Sequence, residues 1–387
     1  MARRKKIMKA KTSLLVLLGA LSLVSCGGGS SKIEDEPITI TDMISRSVEI
    51  KPGSYKRVVC IGAGALRLYS YVGDVSLLSG VEDIDNESLS SRPKMFDGTA
   101  RPYVMAHRDF LKSLPSCGVG GPNAQTAEEE KILSCNPDIV ISEYEDVTKA
   151  DALQSKLGVP VITTSYGPKG VFDDRAKSSL QMLGKVFAKE TKATSLVSFI
   201  ESERADISHR TEGVLTENQP KTYICGLGNW GTTNQYSTAQ DYEPFNVAHI
   251  RDVVTDLPTN GIQTIDKEKF VSLGSAMDVM IIDAAAVKNI KPTFSADDFA
   301  SSKAWNIGQV YLQMAYNAYY TNLEIALANT WYCAKAVYPS LFNDVDIDTN
   351  TNEITTAFLG QALANEIKEY PNSYGGYQKI NTGTFFA

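Results

Sequence analysis

Residues 57–72 read Arg-Val-Val-Cys-Ile-Gly-Ala-Gly-Ala-Leu-Arg-Leu-Tyr-Ser-Tyr-Val, and this stretch decides the fold class. A short apolar run ending at Ile61 passes through Gly62-Ala63-Gly64 into an amphipathic segment from Leu66 to Val72. A buried parallel strand entering a helix through a glycine turn has this form. The same events recur downstream. An apolar run lies at 75–81, a helix-like stretch at 127–134 leads into Pro137-Asp138-Ile139-Val140-Ile141-Ser142, and residues 159–164 supply the next strand. Four such runs within about 110 residues predict one small α/β lobe. Upstream, residues 38–42 and 47–50 alternate as a hairpin does, with Pro52-Gly53 closing it.

Downstream, residues 173–210 carry helical periodicity with a polar break at Glu190-Thr191-Lys192. Leu180, Leu183 and Phe187 share one face, and Leu196, Ile200 and Ile207 share another. The second stretch, about 20 residues, would reach on the order of 30 Å, enough to bridge two lobes. A second α/β half follows, with strands at 221–226, 279–283 and 309–312 and a helix at 321–338 stopped by Pro339.

Composition narrows the function classes. With 43% apolar and 21% charged residues, the 387-residue chain is globular, which excludes fibrous and low-complexity classes. Its formal charge is −7, but six of the 38 basic residues precede Cys26, and without them 32 face 45 acidic ones, a net of −13. A surface that acidic excludes nucleic acid as a general partner. The basic start, the apolar run at 14–24 and Ser25-Cys26 read as an export leader, too short to span a membrane. Leu23-Val24-Ser25-Cys26 resembles a lipobox, which makes Cys26 the expected lipidated first residue, and Gly27-Gly28-Gly29-Ser30-Ser31 a flexible tether. Five further cysteines (Cys60, Cys117, Cys135, Cys225, Cys333) show no metal-ligand spacing, so no metal site and no cofactor is expected. Cys60 and Cys225 sit in strand-like runs as buried thiols, while Cys117 and Cys135 are open to pairing or not.

Taken together, the lipobox, the Thr41-Asp42…Arg46-x-Val48-Glu49-Ile50 hairpin, the Lys56-Arg57-Val58-Val59 strand, Asn136-Pro137-Asp138-Ile139-Val140 and Gly158-Val159-Pro160-Val161 resemble the solute-binding lipoproteins of ABC importers for iron complexes and cobalamin. The resemblance covers the chain beyond the leader. Within that group it is most similar to a branch with Gly64-Ala65-Leu66-Arg67, Arg101-Pro102-Tyr103-x-x-Ala106-His107, Ser165-Tyr166-Gly167 and Tyr316-Asn317-x-Tyr319-x-Thr321-Asn322-x-Glu324. It implies an α/β fold of two Rossmann-like lobes joined by a single long α-helix, with the ligand in the cleft between them and only modest closure. The expected layout is a leader at 1–25, a tether at 26–37, an N-terminal lobe at 38–172, a linking helical segment at 173–212 and a C-terminal lobe at 213–387.

In open α/β sheets ligands bind beyond the carboxyl ends of the strands. That rule selects Gly64 and Arg67 after the first strand, Tyr166 after the strand at 159–164, Trp230 and Tyr236 in the long loop after Cys225, and Tyr316, Tyr319 and Tyr320 after Leu312. The Gly62-Ala63-Gly64 turn either presents backbone N–H groups to an anion or is a tight turn alone. Arg101 and His107 are further ligand candidates, with packing as the competing role of the histidine. Trp230 and Tyr236 either offer faces to a ring-bearing ligand or belong to a hairpin packed on the second lobe, and the tyrosines after Leu312 line the cleft, coordinate ferric iron as phenolates or pack against the linking helix. Glu145 and Glu243 are weaker candidates for docking a permease, a solvated face being the stronger reading.

The expected function is therefore that of a monomeric, exported, membrane-anchored binding protein that captures an iron complex (siderophore, haem or a related chelate) and delivers it to an ABC permease and its ATPase. Two alternatives keep the fold: an oxyanion such as molybdate or tungstate, motivated by an arginine-bearing, glycine-turn cleft, and a cobalamin-like corrinoid. No Gly-x-Ser-x-Gly elbow, HExxH or paired Cys/His site occurs, so an enzyme is not expected.

Overall fold

The computed structural model describes residues 36–228 and 233–387, so Cys26 and Trp230 lie outside the described residues. It begins with a hairpin of β1 (Ile38–Thr41) and β2 (Ser47–Ile50), paired antiparallel with Ile40 opposite Val48. Asp42 closes its turn by accepting the backbone N–H groups of Ile44 and Arg46 at 3.2 and 2.9 Å. The buried Arg46 guanidinium then ties the hairpin down, donating to Asp42, Asp151 and the Val161 carbonyl at 3.0, 2.7 and 2.9 Å. An arginine tolerates that burial because it is given acceptors.

The first lobe comprises β3 (Val58–Ile61), α1 (Ala65–Val72), β4 (Val81–Glu82), α2 (Pro102–Leu111), β5 (Ser116–Gly118), α3 (Glu129–Ser134), β6 (Ile139–Ser142), α4 (Val147–Leu157) and β7 (Val161–Thr163). Strands β3, β6 and β7 form a parallel sheet in that order, and every residue in them is buried. Unbroken apolar runs are what a sheet covered on both faces requires. The run at 75–81 does not form a full strand: Asp74 caps a 3₁₀ turn at Val75–Leu77, leaving only the two residues of β4, which pair with β5.

Two packed helices follow, α5 (Asp174–Val186) and α6 (Glu190–Thr211). The break falls at 187–189, not at the expected Glu190–Lys192, because Ala188 takes a left-handed conformation (φ 50°) and reverses the chain before Glu190 opens the new helix. Gly184 permits the close approach of the pair, since a Cβ there would stand 2.6 Å from that of Ala193. At 22 residues, α6 is about 33 Å long and is the single long helix joining the lobes.

The second lobe runs through β8 (Lys221–Cys225), β9 (Ser237–Gln240), α7 (Glu243–Val247), β10 (Arg251–Asp252), β11 (Gly261–Thr264), α8 (Lys267–Gly274), β12 (Val279–Asp283), α9 (Ala284–Thr293), α10 (Lys303–Asn306), β13 (Val310–Gln313), α11 (Leu323–Val337), α12 (Ile347–Leu359), α13 (Ala364–Glu369) and β14 (Gln378–Lys379). Its sheet has the order β10-β8-β12-β13-β14, parallel except for β14. β9 pairs instead with β11, outside that sheet.

Alternate residues of each strand feed different cores, as the two-residue period of a strand demands. Val59 and Ile61 face a small cluster behind the first sheet, while Tyr223, Cys225, Met280 and Ile282 face another behind the second. Val58, Cys60, Ile224 and Ile281 join Leu196, Ile200 and Ile207 of α6, Trp331 and Phe358 in one cluster that runs through both lobes. Tyr71 of α1 meets Phe358 of α12 edge to face at 4.9 Å within it. The five cysteines among the described residues, Cys117 and Cys135 included, are buried free thiols. No helix among the described residues is long and apolar enough to cross a membrane.

Candidate functional site

A cavity of about 430 Å³ opens between the lobes, beyond the ends of β3 and β7 on one side and of β9 and β13 on the other. The first lobe contributes Ala63, Phe96, Pro122 and residues 167–172; the second contributes residues 241–244, Ile262 and the loop with Tyr316, Asn317, Tyr319, Tyr320 and Thr321. Three non-glycine residues of this wall hold left-handed backbone: Asp241 (φ 56°), Tyr319 (φ 54°) and Tyr320 (φ 72°). Such conformations cost on the order of 1–3 kcal/mol each and gather at ligand clamps.

The 316–322 loop is built tightly. Asn322 N–H donates to the Tyr316 carbonyl at 2.8 Å, Ala318 N–H donates to that of Tyr320 at 3.0 Å, and the Asp283 carboxylate accepts the Tyr316 N–H. Arg67 completes it from the other lobe. Its Nη2 donates to the Ala318 carbonyl at 2.7 Å, and its Nη1 donates to the Tyr319 carbonyl at 3.0 Å and the Tyr166 hydroxyl at 3.3 Å. The guanidinium also lies over the Tyr103 ring, 4.5 Å from its centroid. The Tyr319 hydroxyl in turn donates to Glu82 of the first lobe at 2.7 Å.

These contacts redistribute the residues expected to meet a ligand. Arg67 is fully buried and directs its Nη donors to two backbone carbonyls and the Tyr166 hydroxyl, with Nε left unpaired among the described residues, so it positions the loop and is not part of the cavity wall. Arg101 is likewise internal, ion-paired with Asp85 and donating to the Ile84 carbonyl at 3.0 Å. The Gly62-Ala63-Gly64 turn presents no free N–H at Gly62, which donates to Glu82 at 3.0 Å, while the Gly64 carbonyl accepts the Tyr166 hydroxyl at 3.0 Å. Tyr166 is buried, its ring 4.5 Å from that of Tyr320, and supports the wall from behind. His107 sits half-buried on α2, where burial and nearby Lys192 hold its pKa below the usual value, and it lines no part of the cavity. Tyr236 packs against Phe270 and Phe294 behind the second sheet. Tyr316, Tyr319 and Tyr320 do line the cavity, Tyr320 with its side chain exposed.

Neither docking candidate is a free surface charge. Glu145 holds Arg175 at 2.7 Å and accepts the Ser165 hydroxyl, and Glu243 lines the cavity with Arg204 at 3.9 Å. Sequence reasoning passed over Lys169, Tyr242 and Phe172 in this wall, and took Asp241, like Glu243, only as a docking candidate. Lys169 and Asp241 lie just past β7 and β9, and extending the strand-end rule by a few residues reaches them.

Burial pushes three carboxyls around this seam upward: Glu82 to about 7, Glu143 to about 8 and Asp283 to about 7. The folded protein keeps protons here that the unfolded chain releases nearer pH 4, so stability falls as pH rises through that interval. The thermal midpoint is expected to drop between pH 5 and pH 8, and Glu82→Gln, which keeps an acceptor for Gly62, to make that decline shallower in a scanning-calorimetry pH series. An equal decline in the variant would show that Glu82 does not titrate there.

Comparison with known proteins matches this architecture. The molybdate-binding protein MolA of Haemophilus influenzae is 23% identical over 377 residues, covering 91% of this chain and 97% of that protein. Its molybdate-bound structure superposes with a TM-score of 0.63 at 20% identity, over 84% of this chain and 98% of that one. A periplasmic solute-binding protein of Veillonella parvula gives a TM-score of 0.67 at 16% identity, over 91% and 100%. The petrobactin-binding protein YclQ of Bacillus subtilis gives 0.54 at 16%, over 79% and 99%. The periplasmic binding protein family model matches residues 97–311, more than half of the sequence. With two α/β lobes, one joining helix and a cavity at their strand ends, the chain belongs to the periplasmic binding protein family, the exported substrate-binding components of ABC importers, and is not an enzyme.

Proposed function

We propose that the protein captures an iron(III) chelate in the interlobe cavity and hands it to the permease of an ABC importer, tethered to its membrane through acylated Cys26. The observation that carries this reading is the cavity itself. Its 430 Å³ falls within the range of small-molecule sites and holds on the order of fourteen waters, far more than a bare tetrahedral oxyanion displaces. Phe96, Phe172, Tyr242, Tyr316, Tyr319 and Tyr320 give it aromatic surface suited to a ring-bearing or apolar ligand. The placement of Arg67 and Arg101 in the interior removes the guanidinium groups that had motivated an oxyanion. The Haemophilus influenzae relative, named for molybdate, keeps that second reading in play.

Titration calorimetry with ferric hydroxamates, ferric catecholates, haemin, cobalamin, molybdate and tungstate tests the two readings together. Binding of an iron chelate at micromolar concentration or below, with no heat from molybdate, is the expected result. Heat from molybdate or tungstate alone would transfer the assignment to the oxyanion.

A further inference from the structure

Resting on that proposal, we infer that the chelate carries no net negative charge: the cavity selects neutral or cationic complexes and rejects polyanionic ones. The wall charges carry the argument. Among the described residues lining the cavity, the first lobe supplies one cation, Lys169, and the second lobe supplies two carboxylates, Asp241 and Glu243. The cations nearby are already committed. Arg67 is buried behind the 316–322 loop, bonded to the Ala318 and Tyr319 carbonyls of the second lobe, Arg101 is paired with Asp85 inside the first lobe, Arg175 is held by Glu145 at 2.7 Å, and Arg204 faces Glu243 at 3.9 Å. Among the described residues lining the cavity, with Arg204 counted, two positive charges face two negative ones. Residues 229–232, Asn-Trp-Gly-Thr, add none.

Asp241 is the sharpest element of this pattern. It is exposed at the cavity, no cation or hydrogen-bond donor among the described residues pairs with its carboxylate, and its backbone is held left-handed at φ 56°. A carboxylate kept unpaired on a strained backbone is available to a donor or a positive charge brought by the ligand. A polyanionic complex would instead meet two carboxylates with one free ammonium to offset them, and like charges at such a site oppose binding. The oppositely charged walls also orient a dipolar chelate, its electronegative side toward Lys169 and its amine or amide side toward Asp241.

The test compares three iron(III) complexes: a cationic tris-hydroxamate, a neutral tris-hydroxamate and a trianionic tris-catecholate, each titrated into the wild-type protein at low and high salt. The cationic or neutral complex is expected to bind at least tenfold more tightly than the trianion, with the margin narrowing as salt rises. Asp241→Asn, which retains a residue type tolerant of left-handed backbone, is expected to weaken the cationic complex about tenfold and the trianion not at all. Tightest binding of the trianion would overturn the inference and leave the iron-chelate function standing. Binding of none of the three, with no heat from haemin either, would overturn the function itself.

Discussion

Replacing Arg67 with alanine is expected to lower the free energy of unfolding by about 4 kcal/mol and to weaken ligand capture at least tenfold, although the side chain does not line the cavity. The change strips donors from the buried carbonyls of Ala318 and Tyr319 at once. A buried acceptor left without its partner costs about 1–3 kcal/mol, and hydrogen bonds from a charged donor lie at the upper end of that range. The Tyr103 ring also loses its stacked cation. With the bolt removed, the left-handed conformations of Tyr319 and Tyr320 lose their external support and the loop relaxes away from the first lobe. Arg67→Lys should recover only part of this, because an ammonium lacks the fork that reaches two carbonyls and a hydroxyl together. Urea unfolding and ligand titration of the two variants check the prediction; a loss below about 1 kcal/mol for the alanine variant would refute it.

Gly64→Val should be comparably damaging, at about 4 kcal/mol, for a different reason. Gly64 has φ +93°, and a Cβ built there would stand 2.6 Å from the Tyr166 hydroxyl oxygen. A β-branched residue adds backbone strain to a clash with a side chain that is itself fully buried. Gly158 is the control, since it too is left-handed (φ +67°) but has nothing within 4 Å of the Cβ position. Gly158→Ala should cost only about 1 kcal/mol. Thermal melts followed by circular dichroism would separate the two sites, and equal losses would mean that crowding by Tyr166 is not what holds glycine at 64.

The hairpin, the strands β3, β6, β7, β8, β12 and β13 and the helices α1, α3, α5, α6 and α11 were legible because they rest on local patterns, while the remaining elements were not. Val58 to Ile61 and Val279 to Ile282 are unbroken apolar runs that only a doubly covered sheet accommodates, and Asp42 with Arg46 sits four residues apart on a hairpin where the two side chains meet. The strand-end rule likewise located Tyr316, Tyr319 and Tyr320 at the cavity. What could not be read was the direction in which long side chains turn. Arg67 falls in the first turn of α1, but whether its guanidinium emerges or folds inward depends on carbonyls 251 and 252 residues away, in the second lobe. Tyr236 directly precedes β9, in the long segment after β8, yet its ring is drawn to Phe270 and Phe294 behind the sheet. Helix termination at 187–189 was invisible for a related reason: Ala188 is a good helix former, and its left-handed turn is imposed by tertiary packing, with Gly53 close beside it.

The apolar cluster that runs through both lobes makes them one folding domain in the thermodynamic sense. Phe358 of the last third of the chain and Val58 near its start belong to the same cluster, as do Leu196, Ile200 and Ile207 between them. Neither lobe can detach without exposing its half of that surface to water. The chain should therefore melt in a single cooperative transition, with equal calorimetric and van't Hoff enthalpies, and a fragment cut after α6 should not fold by itself. Ligand captured between the lobes would then raise the melting temperature of the entire protein rather than of one part, so a thermal-shift screen reads occupancy through a single midpoint.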